Sequence, residues 1–310
     1  MRPPLRLQRR PGEPIPLRRE APSAAPALEP ALSAWWLGQA GFLLQGGNLR
    51  ILVDPYLSDS LAAKYRGQRY PHLRMTPVPV RPEELRDLDL VLASHGHSDH
   101  LDPGTLPLLA AGNPRCRFIV PASCRELAVA RGVPAAAIAS LDAGGRLDLG
   151  NGNQVEAVPA AHEQLDRDGN GHCLYLGFIL ALGGLRIYHS GDCIPYPGLR
   201  EWLHAAEPDL AFLPVNGRDA VRAANGIAGN FTLEEAIALV LSVPIGLGIG
   251  HHFGMFDFNT LDPRVAARHL ESRPELAGRF VLAEPGSRYA FYPVNTGSTG
   301  NLTPLSGKVE

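Results

Sequence analysis

The spacing of apolar and polar positions changes period repeatedly along this chain, and the changes mark short strands and helices in turn. WWLGQAGFLLQ (35–45), a Gly46-Gly47-Asn48 turn and the run from Arg50 to Asp54 read as a β-hairpin. The apolar runs 89–94, 154–159, 174–181 and 185–189 read as further strands. Three helices are announced by their starts. Ser123 and Glu126 have capping-box spacing before a helix that Gly132 and Pro134 would close. Thr232 and Glu235 repeat the spacing before a helix to about Leu241. Asp262-Pro263 supplies an N-cap and a first-turn proline to a helix over 264–271. No internal repeat is visible, and the elements alternate without a break in composition. That predicts one α/β domain over residues 31–293. Residues 1–30 carry eight prolines and six arginines without periodicity, and are expected to be a disordered Arg/Pro-rich tail. Residues 294–310, rich in Gly, Ser and Thr, are expected to be a flexible C-terminal tail.

Composition removes several classes of function. The chain has 310 residues, 45% of them hydrophobic, enough for a sizeable core. Lys plus Arg is 29 against 31 Asp plus Glu, a net charge of -2. A nucleic-acid partner, whose binding rests on neutralising phosphates, is therefore not expected. No apolar run reaches the length of a membrane span, and no basic amphipathic helix suggests a membrane surface. The four cysteines form no C-x-x-C pair, which suits a reduced, cytoplasmic protein. The sequence leaves homo-oligomerisation open.

The 11 histidines carry the chemistry. SHGHSDHLD (94–102) follows an apolar strand directly and contains H-x-H-x-D-H. Alternation along an extended segment points His95 and His97 the same way, so both imidazoles can reach one ion. The turn that follows carries Asp99 and His100 toward a neighbouring ion. Three more apolar segments end in metal-capable residues: His162 after the strand ending at Pro159, His189 and Asp192 in YHSGD, and His251-His252 after the run 245–250. A structural histidine normally stands alone with one backbone partner. Seven histidines in four such places fit a binuclear site for divalent first-row metals better.

With these segments in view, the sequence resembles the metallo-β-lactamase-fold hydrolases, and within them the L-ascorbate-6-phosphate lactonase-like group. The resemblance runs from Trp35 to Tyr292, through WWLGQAGFLL, ILVDPYLSDS, SHGHSDHLD, PAAHE, YHSGD, LPVNGRD and HHFGMFDFNT. It implies a four-layer αββα sandwich in a single α/β domain. It implies that His95, His97 and His162 hold one ion, that Asp99, His100 and His252 hold another, and that Asp192 bridges them. The ions would be Zn²⁺ or Mn²⁺. Asp54 would support the site without ligating, and His251 would be a neighbour of the ligands. Asp99 is expected to be catalytic as well as ligating. His189 is expected to donate to an oxyanion or orient a ligand, with a buried structural imidazole as the alternative. Arg218 is the candidate for an anionic substrate group, the alternative being an ion pair with a nearby acid. Asn216 is a weaker substrate contact. Cys193 reads as a small residue after a ligand, and no G-x-S-x-G elbow offers a serine nucleophile. The expected function is hydrolysis of a small anionic metabolite by a metal-bound hydroxide. A lactone of the sugar-lactone-phosphate kind is favoured over a phosphodiester or other phosphoester. A non-catalytic metal-binding protein is the remaining alternative.

Overall fold

The computed structural model describes residues 5–19 and 29–293. Among the described residues fifteen strands form two sheets, accompanied by helices α1 (Ser60–Lys64), α2 (Leu106–Gly112), α3 (Arg125–Ala130), α4 (Leu199–Ala206), α5 (Ala220–Ala224), α6 (Leu233–Ser242) and α7 (Pro263–Glu271). The first contains β1 (Leu5–Pro11), β2 (Leu32–Gly38), β3 (Gly41–Gly46), β4 (Leu49–Val53), β5 (Leu90–Leu92), β6 (Arg117–Pro121) and β7 (Ile138–Leu141). The second runs through β8 (Arg146–Gly150), β9 (Asn153–Pro159), β10 (Leu176–Leu182), β11 (Leu185–His189), β12 (Leu210–Pro214), β13 (Leu247–His251) and β14 (Phe280–Leu282). The last strand, β15 (Ser287–Pro293), returns to the first sheet, whose order is β1-β15-β2-β3-β4-β5-β6-β7. The second sheet follows the order β14-β13-β12-β11-β10-β9-β8.

Period-two alternation decides what each face buries. Along β2, Leu32, Ala34 and Trp36 turn inward to meet Val155, Phe178 and Phe212 of the second sheet. Trp35 and Leu37 turn outward, beneath helices α2 (Leu106–Gly112) and α3 (Arg125–Ala130), with Leu106, Leu109 and Ala128. On the other side α6 (Leu233–Ser242) packs on β12 and β13, and α7 (Pro263–Glu271) packs on β14. The result is helix, sheet, sheet, helix, as expected. Helix α6 opens with the expected capping box, Thr232 accepting from Glu235 N and Glu235 accepting from Thr232 N. Helix α7 is capped by Asp262.

Strand direction places one set of ends along a single edge. Strands β4 and β5 are parallel, and β2 shares their direction through two antiparallel steps. In the second sheet β11, β12 and β13 are parallel, and β9 joins them through two antiparallel steps. The C-terminal ends of β2, β4, β5, β9, β11 and β13 therefore lead into one region.

Three expectations need correction. The stretch 35–45 is two strands and not one, because Gly38 (φ 93°) and Gln39 (φ 50°) reverse the chain between β2 and β3. Ser123 makes no capping box: its hydroxyl donates to the Cys173 carbonyl at 2.8 Å, and α3 starts at Arg125. The third concerns the first thirty residues. Residues 5–11 form β1, paired with β15 over seven positions. The segment after it lies along the first sheet, where Arg19 pairs with Asp89 at 2.5 Å, Arg288 pairs with Glu13, and the Leu17 carbonyl accepts from Arg86 N at 2.9 Å. Leu5 and Leu7 pack against the core between solvent-facing Arg6 and Gln8. Residues 1–4, 20–28 and the predicted C-terminal tail 294–310 lie outside the described residues. Deleting residues 1–19 should lower the unfolding free energy by about 2 kcal/mol, the net of lost ladder bonds and released chain entropy. Urea denaturation checks this; a midpoint equal to that of the full chain would return the segment to the status of a tail.

Candidate metal centre

The strand ends deliver seven ligand-capable side chains to one place. His95, His97, His162 and Asp192 offer ligand atoms within 4.8 Å of one another, and so do Asp99, His100 and His252. The seven positions expected as ligands are thus brought together, with Asp192, the expected bridge, grouped with His95, His97 and His162. Asp192 stands between the groups. Its Oδ2 lies 3.5 Å from His162 Nε2, while Oδ1 lies 3.0 Å from His252 Nε2 and 3.4 Å from His100 Nε2. His251, the neighbour, is not in the ligand group. It turns to the other side of β13, where its ring stacks on His189 with centroids 5.2 Å apart and meets the edge of Phe42 at 5.3 Å.

These groups fit divalent cations on their own chemistry. Nε2 of His95, His100 and His252 and Oδ1 of Asp192 are buried and make no well-directed hydrogen bond, although Oδ1 approaches the His252 and His100 nitrogens. Buried polar atoms normally have one. Here they face each other, with His95 and His100 rings only 4.0 Å apart. Burial, reinforced by the neighbouring imidazoles, holds His95 well below the ordinary histidine range, so it is a neutral donor. Burial alone would raise Asp192, but His252 and His100 outweigh it and keep the carboxylate ionised. Burial alone would lower His100, yet Asp192, Asp54 and Asp99 together push it well above its usual value. One imidazole among three carboxylates marks a local excess of negative charge that cations would balance.

The supporting shell is specific. Asp54, fully buried, accepts from Ser94 N at 2.7 Å, Ser94 Oγ at 2.7 Å and His100 Nδ1 at 2.8 Å. That fixes the His100 tautomer with Nε2 turned to the site. Asp54 has φ 45°, and Gln39 and His252 also have positive φ. Left-handed backbone in non-glycine residues is costly and concentrates at functional sites. Gln39 links the two sheets: Nε2 donates to Asp99 Oδ2 at 2.8 Å, and its carbonyl accepts from His252 N at 3.0 Å. Gly191 has φ 60°, and a Cβ there would meet Leu176 O and Ser94 Cβ at 2.7 Å, so only glycine lets Asp192 approach this closely. Arg131 donates to the carbonyls of Gly96 at 2.9 Å and Leu101 at 2.6 Å, bracing the histidine segment from outside. Gln39 and Arg131 were not anticipated from the sequence.

Other expected roles shift. His189 donates from Nε2 to Ala40 O at 2.9 Å and accepts from Gly191 N at Nδ1, 3.1 Å away. Both ring nitrogens are committed to backbone, so the structural alternative describes it, with no donor left for an oxyanion. Arg218 forms a two-pronged ion pair with Glu235, both contacts 2.6 Å, and donates to Asn230 O at 3.0 Å. It does not line the pocket above the site. Asn216 is buried, donating to Asn259 Oδ1 at 2.9 Å and accepting from Asn230 Nδ2 at 3.1 Å. Neither residue is placed to contact substrate. Replacing Arg218 with Ala should therefore leave KM unchanged and cost about 1 kcal/mol of stability, the modest value of a partly exposed pair. A large rise in KM for an anionic substrate would overturn this placement. Cys193 is fully buried, and burial pushes its thiol up to about 12, far from a thiolate nucleophile.

Comparison with known proteins agrees with this geometry. Residues 49–253 match the family described as "Beta-lactamase superfamily domain". A UPF0173 metal-dependent hydrolase of Aeropyrum pernix is 27% identical over 271 residues, spanning 83% of this chain and 96% of the relative. N-acyl-phosphatidylethanolamine-hydrolyzing phospholipase D 1 of Caenorhabditis elegans is 26% identical over 276 residues, spanning 83% of this chain and 75% of that protein. Among solved structures, the fold resembles isothiocyanate hydrolase from Delia radicum gut bacteria, with TM-score 0.69 at 18% identity over 84% of this chain and all of that one. No helix among the described residues is long and apolar enough to cross a membrane. The matched segment runs from β4 to just past His252, and so includes all seven ligand-capable side chains and Asp54; the chain belongs to the beta-lactamase superfamily and is a metal-dependent hydrolase.

Proposed function

We propose that this enzyme hydrolyses a small anionic ester at a two-ion centre, with a phosphodiester as the favoured substrate. The carrying observation is the position of Asp192, whose two oxygens face two separate ligand groups. His95, His97 and His162 would hold one ion and Asp99, His100 and His252 the other, with Asp192 shared. Bound there, zinc or manganese ions would supply an activated water and a Lewis acid for the oxygen under attack. The protein's own contribution is orientation and proton handling. Asp54 keeps a proton on His100 Nδ1. Gln39 holds Asp99 at Oδ2, which leaves Oδ1 of this pocket-lining carboxylate to accept and return a proton.

The choice of ester follows from what surrounds the centre. The lactone expectation rests on the group resemblance, and its NGRD segment is spent on internal bonds: Arg218 on Glu235, Asn216 on Asn259. A phosphodiester is supported by the resemblance to a phospholipase D and by cationic side chains on the pocket wall. The test is elemental analysis of the purified full chain, then assays with bis(p-nitrophenyl) phosphate, p-nitrophenyl phosphate and simple lactones under added Zn²⁺ or Mn²⁺. The reading expects close to two ions per chain and turnover of the diester. Fewer than one ion under every loading would sink the two-ion centre; turnover of lactones alone would restore the lactone.

A further inference from the structure

The pocket above the ligand groups, about 420 Å³, has a wall that shares no residue with the proposed ion ligands. Helix α1 (Ser60–Lys64) and the loop after it bring Lys64, Tyr65, Arg69 and His72 to this wall, and the segment after His252 adds Phe256 and Phe258. The rings form one continuous face. Tyr65 stacks on His72 with centroids 4.1 Å apart and 18° between planes. His72 meets Phe258 edge-on at 4.7 Å, and Phe258 lies nearly parallel to Phe256 at 5.9 Å.

Two cations sit beside these rings. Lys64 has no ion pair among the described residues, and its ammonium lies 5.0 Å from the Tyr65 ring. Arg69 donates to Asn225 Oδ1 at 2.7 Å, an uncharged partner that leaves the guanidinium charge uncompensated. Lysine is scarce in this chain: 27 of the 29 basic residues are arginine, so a lysine at the pocket stands out. Arg131, the third cation at the pocket, is committed to backbone carbonyls. The wall is also tied to the metal centre. Asp102, at the end of the histidine segment, accepts from Ser58 Oγ and Ser60 Oγ, each at 2.7 Å, and so anchors the start of α1.

We propose that this wall recognises the part of the substrate beyond the cleaved bond. Lys64 and Arg69 take an anionic group, and the Tyr65–His72–Phe258 face, backed by the buried Phe256, takes a flat, unsaturated or aromatic body attached to it. The proposal rests on the reading of the enzyme as a hydrolase of anionic esters and names the substrate class more closely. An ammonium and a guanidinium bind phosphoryl or carboxylate oxygens by charge-assisted hydrogen bonds. Offset-stacked and edge-on rings accept a further planar group without rearrangement.

The test is calorimetric titration of the full-length protein, first metal-free so that no ion competes for the anion and then zinc-loaded, with phenylphosphonate, whose C–P bond withstands hydrolysis, and with methylphosphonate. Phenylphosphonate should bind about fivefold tighter or more. Lys64→Ala and Arg69→Ala should each weaken both ligands about three- to tenfold. Phe258→Ala should erase the preference for the phenyl compound and leave methylphosphonate unchanged. All three side chains are at least partly exposed, so the variants should keep the wild-type melting profile, which is measured alongside. Unchanged affinity in the Lys64→Ala/Arg69→Ala double variant would overturn the cationic contacts. Equal affinity of the two phosphonates for the wild type would overturn the stacking face. Neither titration reads turnover. Absence of hydrolysis with every ester would end the functional reading and leave the wall standing, whereas wild-type binding in the double variant would end the wall and leave the hydrolase.

Discussion

Replacing Asp192 with Asn should lower hydrolytic activity by about 10³-fold or more and, with two ions per chain as proposed, reduce the bound ions to one or none. The substitution keeps the shape of the side chain and removes only its charge and one acceptor. Asp192 is the group whose oxygens reach both clusters, at 3.0 Å from His252 and 3.5 Å from His162. An amide would present an N–H₂ to one of the two, where it can donate but cannot ligate. Gly191 and the His189 backbone bonds would still hold the loop, so the fold should survive. Elemental analysis, with circular dichroism as a control for folding, measures the outcome. Two ions per chain together with wild-type turnover would remove Asp192 from the centre.

The convergence of ligand-capable side chains was legible because each cluster is written locally, while the choice of His252 over His251 came from the family resemblance. His95, His97, Asp99 and His100 lie within one segment, and His162, Asp192 and His252 each come within a few residues of the end of an apolar run. Parallel strand directions then carry those ends to a common edge, a step that the alternation of elements implies without stating. The α/β alternation was legible for the same reason, and the four layers were implied by the family resemblance. What remained hidden depends on partners far apart in sequence. Arg218 looked like an anion binder because Glu235, 17 residues later, is visible in sequence only as a helix cap. Gln39 gave one faint sign, its place between Gly38 and Gly41, but its bond to Asp99 spans 60 residues. Lys64 and Arg69 became candidates only when α1 was set beside the histidine segment through Asp102. At the N-terminus, arginine and proline content concealed a short strand, although Leu5 and Leu7 alternate with polar residues as an edge strand should.

Replacing Asp54 with Ala should cost about 3–4 kcal/mol of stability, because three donors lose their acceptor inside the protein. Ser94 N–H, Ser94 O–H and His100 Nδ1–H all converge on this fully buried carboxylate. The backbone adds to the loss. Asp54 sits at φ 45°, a left-handed conformation that aspartate and asparagine tolerate better than alanine. Asp54→Asn separates the two contributions. It suits the backbone and keeps one acceptor oxygen, so its stability loss should be about half as large. Its N–H₂ cannot accept from Ser94 or His100, however, so His100 is free to turn or to shift its proton to Nε2. Metal affinity should then fall about 10- to 100-fold in both variants, the usual consequence of losing the carboxylate behind a ligating imidazole. Thermal denaturation of the metal-free chain and metal titration against a competing chelator read the two effects separately. An Ala variant that melts with the wild type would refute the buried network as a source of stability. An Asn variant with undiminished metal affinity would show that His100 keeps its orientation without Asp54, through its contacts with the His95 and His252 rings and the Ser94 hydroxyl.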